Sequence, residues 1–505
     1  MASLRLAIAI TGPSGDEFVV VRQSPLPPLS EEEYLLFSDS DLWDLPSVLL
    51  TPISTIDDNS GDLSRSDVEV RGAETIRETL DLSRFDLGLA LDQVLKQVGL
   101  SIDKSDLKLV LLKFVEEAEF GPGPPVNTLF VALPLDFKEE SLKDSCKWIT
   151  KESAFELLSG VKPCADRVGP LSYIGYLSKS TPLPNKVANS RLLYQEYPPG
   201  VIVVPMKSGT LKPFSTTNLV AILPKDPFSG PCNSDSSILH ADALIMDPGC
   251  KLKAELADLI SSLPRKLLVF VTHHHHDHVD GLSIVHKINA DATLLAHENT
   301  MSRIHGNWSG ACTKVSGGEK ICIGDQQLKV IFAPTHFYGY YFGSEGSALL
   351  DVTAGGSMKD YFDTTYKFMD LSPHVLIPMH GRMNLWPKRM LCGYLKHRRD
   401  REASILNSIE NGARSMFHII SEVYANVDKK LWLLASSNVK LHVDYLNYQN
   451  KLPKEFSIEK FKSSCGVPFI LRWLFAYFKS KLNKYLVAGI TIGCTVAVAY
   501  AMKKR

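Results

Sequence analysis

The residues able to do chemistry are concentrated in one short stretch. After an apolar run, Leu267-Leu-Val-Phe-Val271, the chain reads Thr272-His273-His274-His275-His276-Asp277-His278-Val279-Asp280-Gly281. Imidazole nitrogen and carboxylate oxygen suit Zn2+ best, with Mn2+ or Fe as other occupants. Alternate side chains of an extended segment point the same way, so His273 and His275 share a side. Asp277 and His278 then enter what should be a helix N-terminus. Ligands are thereby offered to two adjacent metal positions, for one ion or two. A chance histidine-rich loop needs neither a strand feeding straight into it nor Asp and Gly at fixed places in the turn. All 15 histidines lie between His240 and His442, so an imidazole centre belongs to the middle of the chain.

Other pieces follow the same order. Asp247 closes an apolar run in Ile245-Met-Asp-Pro-Gly249, and His380 sits in Leu376-Ile-Pro-Met-His-Gly381. With the His-x-His-x-Asp-His core, these segments resemble the metallo-β-lactamase fold superfamily over about residues 195 to 450. Within it the chain resembles the beta-lactamase-like protein 2 family, whose members carry a winged-helix-like tail and some of which cleave single-stranded RNA. The resemblance implies a four-layer αββα sandwich. It implies that His273, His275 and the His of the third motif hold one metal ion, and that Asp277, His278 and His380 hold a second. Asp277 counts as catalytic as well. Asp247 is expected to orient a ligand or its turn rather than to bind metal. Water between the ions would attack an ester, thioester or phosphodiester.

The pattern breaks at one place. The superfamily has Pro-Gly-His-Thr, then a further strand and a Gly-Asp whose Asp bridges both metals. Here the text is Ala333-Pro-Thr-His336-Phe-Tyr-Gly339, and no Gly-Asp lies between His336 and Ser347. His336 is the third-motif candidate. Asp351, in Ala348-Leu-Leu-Asp-Val-Thr353, is a substitute bridging ligand at best. Without a bridging carboxylate two close cations lose the anion that screens their repulsion, while three ligands plus water suffice for one catalytic zinc. The competing expectation is therefore a membrane-tethered, catalytically impaired homologue that acts by binding. A third is a single-strand RNA endonuclease, with Arg398 and Arg399 of the basic run 382–401 tracking phosphates. Against it stands a solvated helix with Asp400 and Glu402 interleaved. Substrates are thus a small molecule or RNA, and the sequence sets no oligomeric state.

These residues need a scaffold. At 505 residues, with 45% hydrophobic and 22% charged, the chain is globular, of about three folded units, and not a disordered one. Lys plus Arg number 55 against 56 for Asp plus Glu, so net charge argues for no nucleic-acid partner. Nine scattered cysteines without a C-x-x-C argue against a disulfide framework and a cysteine zinc knuckle and suggest a reducing compartment. Strands are expected at Val201–Pro205, Asn218–Leu223, Ala243–Asp247 and Leu267–Thr272, with helices between some of them, the alternation of a layered α/β domain.

The expected organisation is an α+β domain at 1–165, a linker at 166–193, the metal domain at 194–387, a helical winged-helix-like tail at 388–455 and an amphipathic linker at 456–484. In the first domain a hairpin is expected to open the fold, with strands at Val19–Arg22, Leu107–Phe114 and Thr128–Leu135 and a helix at Ala90–Val98. Asp41-Leu-Trp-Asp-Leu-Pro-Ser47 resembles, weakly, the approach to the catalytic loop of Nudix hydrolases. In the matching helix Lys96 and Gln97 stand where paired glutamates would hold Mg2+, so such a domain would bind or scaffold. A second alignment from Arg77-Glu78 fails too, with Leu82 and Arg84 replacing the second carboxylate and the Gly, and a solvated helical face is the favoured reading. At the far end, Leu486 to Met502 is uncharged and basic-flanked. A single-pass transmembrane helix is expected at 485–502, anchoring the chain to a membrane with its body in the cytosol.

Overall fold

The structure, a computed structural model, describes residues 2–24, 38–53, 68–102, 107–136, 142–160, 162, 165–178, 192–210, 212–224, 238–333 and 357–479. The chain divides into two compact units. Of the described residues, one unit holds those up to 332 together with 368–392, and the other holds 333, 357–367 and 393–479.

The sheet that carries the histidine run belongs to the first unit. Its seven strands lie in the order Gln195–Glu196, Val201–Lys207, Thr216–Ile222, Ala243–Met246, Leu267–Val271, Thr293–Ala296 and Cys312–Lys314. Pairing is antiparallel up to Ala243–Met246 and parallel beyond it. Parallel neighbours require crossovers, and the helices Lys253–Ser262 and Leu282–Ile288 lie in two of them. Leu256, Leu259 and Ile260 of the first helix, and Leu282 and Val285 of the second, pack on one face of the sheet. Each such burial contributes roughly 1.5–3 kcal/mol. The other face, through Val203, Val220, Leu244, Leu268 and Leu295, meets Ile321 and Ile323 of a three-stranded sheet. That sheet runs Ile238–Ala241, Lys320–Ile323, Gln326–Lys329. Cover on both faces explains why Leu267–Val271 is an unbroken apolar run. Among the described residues this unit builds three of the four expected layers.

The same unit contains a nine-stranded sheet from the N-terminal part of the chain. Ser3–Thr11 lies within it, antiparallel to Glu17–Gln23 and parallel to Val126–Pro134 along its whole length. The helix Leu87–Val98 starts at Asp86, whose carboxylate accepts from the Leu89 amide at 2.8 Å, and stops at the left-handed Gly99. Its face of Leu91, Val94, Leu95 and Val98 packs with Leu6, Ile8, Leu129 and Val131. Lys96 and Gln97 lie in the last turn of this helix, so it presents no carboxylate pair there. The stretch after Arg71 is short turns of 3-10 helix at Ala73–Ile76 and Leu82–Arg84, not a continuous solvated helix.

The second unit is helical. Ile405 and Ile409, Met416–Val423, Trp432–Tyr448 and Ile458–Ser464 share a core of Ile405, Ile409, Ile420, Trp432, Val443 and Phe461. No strand occurs among its described residues, so the tail lacks the expected wing there. The transmembrane expectation is corrected. Among the described residues no helix is long and apolar enough to cross a membrane. The last one, residues 467–479, contains Arg472 and Lys479 and reaches roughly 20 Å, against a hydrocarbon core of about 30 Å. Residues 485–502 lie outside the described residues, and the membrane localisation that depended on them is withdrawn.

Candidate metal centre

Strand Leu267–Val271 delivers the histidine run to one end of the seven-stranded sheet, where the neighbouring strand delivers Asp247. Asp247 adopts φ 49°, a left-handed conformation that Asp accepts more readily than most residues. Its fully buried carboxylate accepts from the Thr272 amide at 2.8 Å and the Thr272 hydroxyl at 2.6 Å. It also stands 2.9 Å from Nδ1 of His278. A carboxylate only accepts, so Nδ1 of His278 carries the proton and Nε2 keeps its lone pair. The Thr272 proton is committed to Asp247. Its oxygen, 3.0 Å from Nδ1 of His273, therefore accepts from that ring, and Nε2 of His273 is left basic as well.

The turn after the run is a single helical turn, His276–Val279, followed by Leu282–Ile288. Two glycines allow it to sit against the Asp247 strand end. A Cβ on Gly249 would lie 1.8 Å from the Asp277 carbonyl oxygen, and one on Gly281 would lie 1.9 Å from the Pro248 carbonyl oxygen. Within the run, His273, Asp277 and His278 are buried and His276 is exposed. His276 pairs outward with Asp280 at 3.2 Å, and Nε2 of His274 lies 3.0 Å from the Arg303 guanidinium.

His380 arrives from far along the chain. It sits within a loop closed by paired backbone bonds between Leu376 and Asn384. Nδ1 of His380 donates to the Thr216 carbonyl at 3.0 Å, which turns Nε2 inward. Phe214 lies against the ring, with centroids 5.7 Å apart. Asn218 holds the loop through its side-chain amide, which donates to the carbonyls of Pro378 at 2.7 Å and Gly381 at 2.8 Å.

The outcome is a compact triad. Oδ2 of Asp277 lies 3.6 Å from Nε2 of His278 and 3.6 Å from Nε2 of His380. That oxygen is buried and has no hydrogen-bond partner among the described residues. Buried carboxylate oxygens are rarely left so, because burial without compensation is costly. A tetrahedral ion with bonds of about 2.0–2.1 Å separates its ligand atoms by roughly 3.3 Å. The three atoms therefore fit one divalent cation with little movement. Asp247, His273 and His278 form a second close group, but both Asp247 oxygens are already engaged by Thr272 and His278.

Burial, reinforced by the imidazoles of His278 and His275, holds His273 well below the usual histidine range. Burial and the neighbouring His278 also lower His380, against the bond to Thr216. At His278 burial opposes a charge, but Asp247, by charge and hydrogen bond, and Asp277 outweigh it and raise the pKa.

The expected residues fall into distinct places. Asp277, His278 and His380 converge. His273 and His275 have ring centroids 4.7 Å apart. His336 and Asp351 lie outside the described residues. Arg398 is buried in the helical unit, with its guanidinium on the Asn438 amide oxygen at 2.9 Å and over the Tyr361 ring. That position leaves it no open surface on which to track phosphates, so the nucleic-acid expectation is corrected for it. Arg399 donates to the Tyr366 hydroxyl at 2.5 Å. Thr272, Thr216 and Asn218 escaped the sequence reading. Only Thr272, next to the run, carried any local signal.

No family model matches the chain. It is similar to the beta-lactamase-like protein 2 homolog of Drosophila melanogaster, with 24% identity over 229 residues, 39% of this chain and 75% of that protein. It is also similar to the hydroxyacylglutathione hydrolase of Gloeobacter violaceus, with 28% identity over 152 residues, 28% of this chain. The chain spans 57% of that relative's length. Among solved structures, a beta-lactamase domain protein from Burkholderia ambifaria is matched at a TM-score of 0.40 and 14% identity, covering 55% of this chain and 96% of that one. That likeness is too distant to carry an argument.

Proposed function

We propose that this chain, a metallo-β-lactamase superfamily protein, is a metal-dependent hydrolase whose Asp277, His278 and His380 hold a divalent ion, zinc by the chemistry of the donors. The observation that carries this is the orphaned, buried Oδ2 of Asp277 set between two imidazole Nε2 atoms. A zinc ion held there would acidify water and polarise the bond under attack. The chain's own residues do the rest. Asp247 fixes the tautomer of His278, the Thr216 carbonyl fixes that of His380, and Thr272 fixes that of His273 while tying the histidine strand to Asp247. His273 and His275 stand beside the triad, where they would hold a second ion with a ligand from elsewhere. The hydroxyacylglutathione hydrolases among its relatives favour an acyl ester or thioester over a phosphodiester.

The test is reconstitution. Metal-stripped protein should turn over none of a panel of chromogenic esters, thioesters and phosphodiesters. Added zinc should restore turnover of at least one acyl substrate, and His380→Ala should abolish the restored rate. Full occupancy by zinc without turnover of any substrate would remove the hydrolase reading and leave a metal-binding protein.

A further inference from the structure

The loop that carries His380 is gripped from the N-terminal part of the chain. Arg382, two positions past the histidine, makes a two-pronged ion pair with Glu117: Nε to Oε1 at 2.6 Å and Nη2 to Oε2 at 3.0 Å. The same guanidinium donates to the Pro122 carbonyl at 3.1 Å and the Pro124 carbonyl at 2.9 Å. Glu117 is itself fixed, because its Oε2 accepts from the Val126 amide at 2.5 Å. The pair is partly shielded, with side chains 34% and 19% exposed, so it is less screened than a surface pair. A second contact from the same segment reaches the other flank of the histidine. The Thr216 hydroxyl donates to the Glu119 carbonyl at 3.2 Å, and the Thr216 carbonyl is the atom that orients the His380 ring. The base of the loop is held separately. Arg167, only 1% exposed, donates to the carbonyls of His374, Leu385 and Ser40.

We propose that Glu117 is a positioning residue for the metal centre: acting through Arg382, it holds His380 at the distance from Asp277 and His278 that one ion requires. The N-terminal domain is then a structural part of the site and not an appended module. This rests on the reading of Asp277, His278 and His380 as ligands. A planar guanidinium matched to a carboxylate at two points fixes direction as well as distance. Removing it leaves every ligand present but frees the end of the loop, where a displacement of an ångström is enough to spoil coordination.

The experiment measures zinc affinity by competition with a chromogenic chelator on the full chain. The variants are Glu117→Ala, Arg382→Ala, the double variant and Glu117→Gln, with His380→Ala marking which zinc equivalent depends on that ligand. Each alanine variant should weaken the His380-dependent equivalent about 10-fold, the low end for partners that orient a ligand. The double variant should be no weaker than the worse single one, since both remove one interaction. Glu117→Gln, the variant least liable to disturb folding, should fall between wild type and Glu117→Ala. Metal-free melting curves should change far less than metal affinity does, which a purely structural role would not produce. Wild-type affinity in Glu117→Ala and Glu117→Gln would overturn the proposal while leaving the metal centre intact. Less than half an equivalent of zinc on wild type would instead overturn the centre itself.

Discussion

Asp247 and His278 are 31 positions apart in sequence and 2.9 Å apart in the structure, carboxylate oxygen to Nδ1. The contact commits one ring nitrogen and thereby releases the other. The carboxylate also binds Thr272 at two points, so one buried side chain sets the strand end, the turn and the tautomer together.

Asp247→Asn keeps the side-chain shape and a residue type that tolerates the left-handed backbone. It replaces a pure acceptor by a group that is half donor. The affinity for zinc at the centre should fall about 10- to 100-fold with the fold retained. Chelator competition alongside far-ultraviolet dichroism checks this, and unchanged affinity would mean that Asp247 does not orient His278.

Gly249→Ala sets a methyl 1.8 Å from the Asp277 carbonyl oxygen and 2.5 Å from the His278 nitrogen. The turn must move, and overpacking of this kind costs about 3 kcal/mol. Urea unfolding should show that loss. Gly306→Ala, where a Cβ meets nothing within 4 Å, should stay within about 0.5 kcal/mol of wild type.

Asp44 supplies a pH dependence away from the centre. Its carboxylate is fully buried and accepts from Leu45, Leu171 and Ser172, and burial raises its pKa from 3.8 to about 6. A carboxyl raised on folding binds its proton more tightly in the folded state. Its contribution is complete below about pH 3.8 and is lost as pH climbs through 6, a loss of at most about 3 kcal/mol. Unfolding free energies at pH 4 to 7 should therefore fall in wild type relative to Asp44→Asn. A difference between them that does not vary with pH would disprove it.

Zinc should stabilise the folded chain by mass action, about 2.7 kcal/mol at a hundredfold excess over the dissociation constant. Denaturant midpoints with zinc and with a chelator report this increment. His380→Ala should lose it. His274→Ala should keep it, because that ring meets Arg303 outside the triad.

What could be read before folding was whatever is local. Leu267–Val271 announced a strand by its unbroken apolar run, and the candidate donors followed it directly. Asp247 marked a strand end, and only the structure showed its left-handed backbone. The helix expected at Ala90–Val98 runs from Leu87 to Val98, three residues longer at its start because Asp86 caps it. The membrane span expected at 485–502 falls outside the described residues, among which no helix is long and apolar enough to cross a membrane. Arg398 was misjudged because charge in a sequence has no depth, and its burial depends on Tyr361 and Asn438 folding over it.

The sequence by itself therefore determined which donors exist and that most of them leave one strand together. Only the tertiary structure decided which nitrogen of each ring faces inward, because that choice belongs to Asp247, Thr272 and the Thr216 carbonyl. It alone joined Thr216 to His380 across 164 positions and Glu117 to Arg382 across 265. The physical reason is range: periodicity and turn chemistry act over a few residues, whereas a hydrogen bond is specified by distance in space, which the packing of sheets and loops creates.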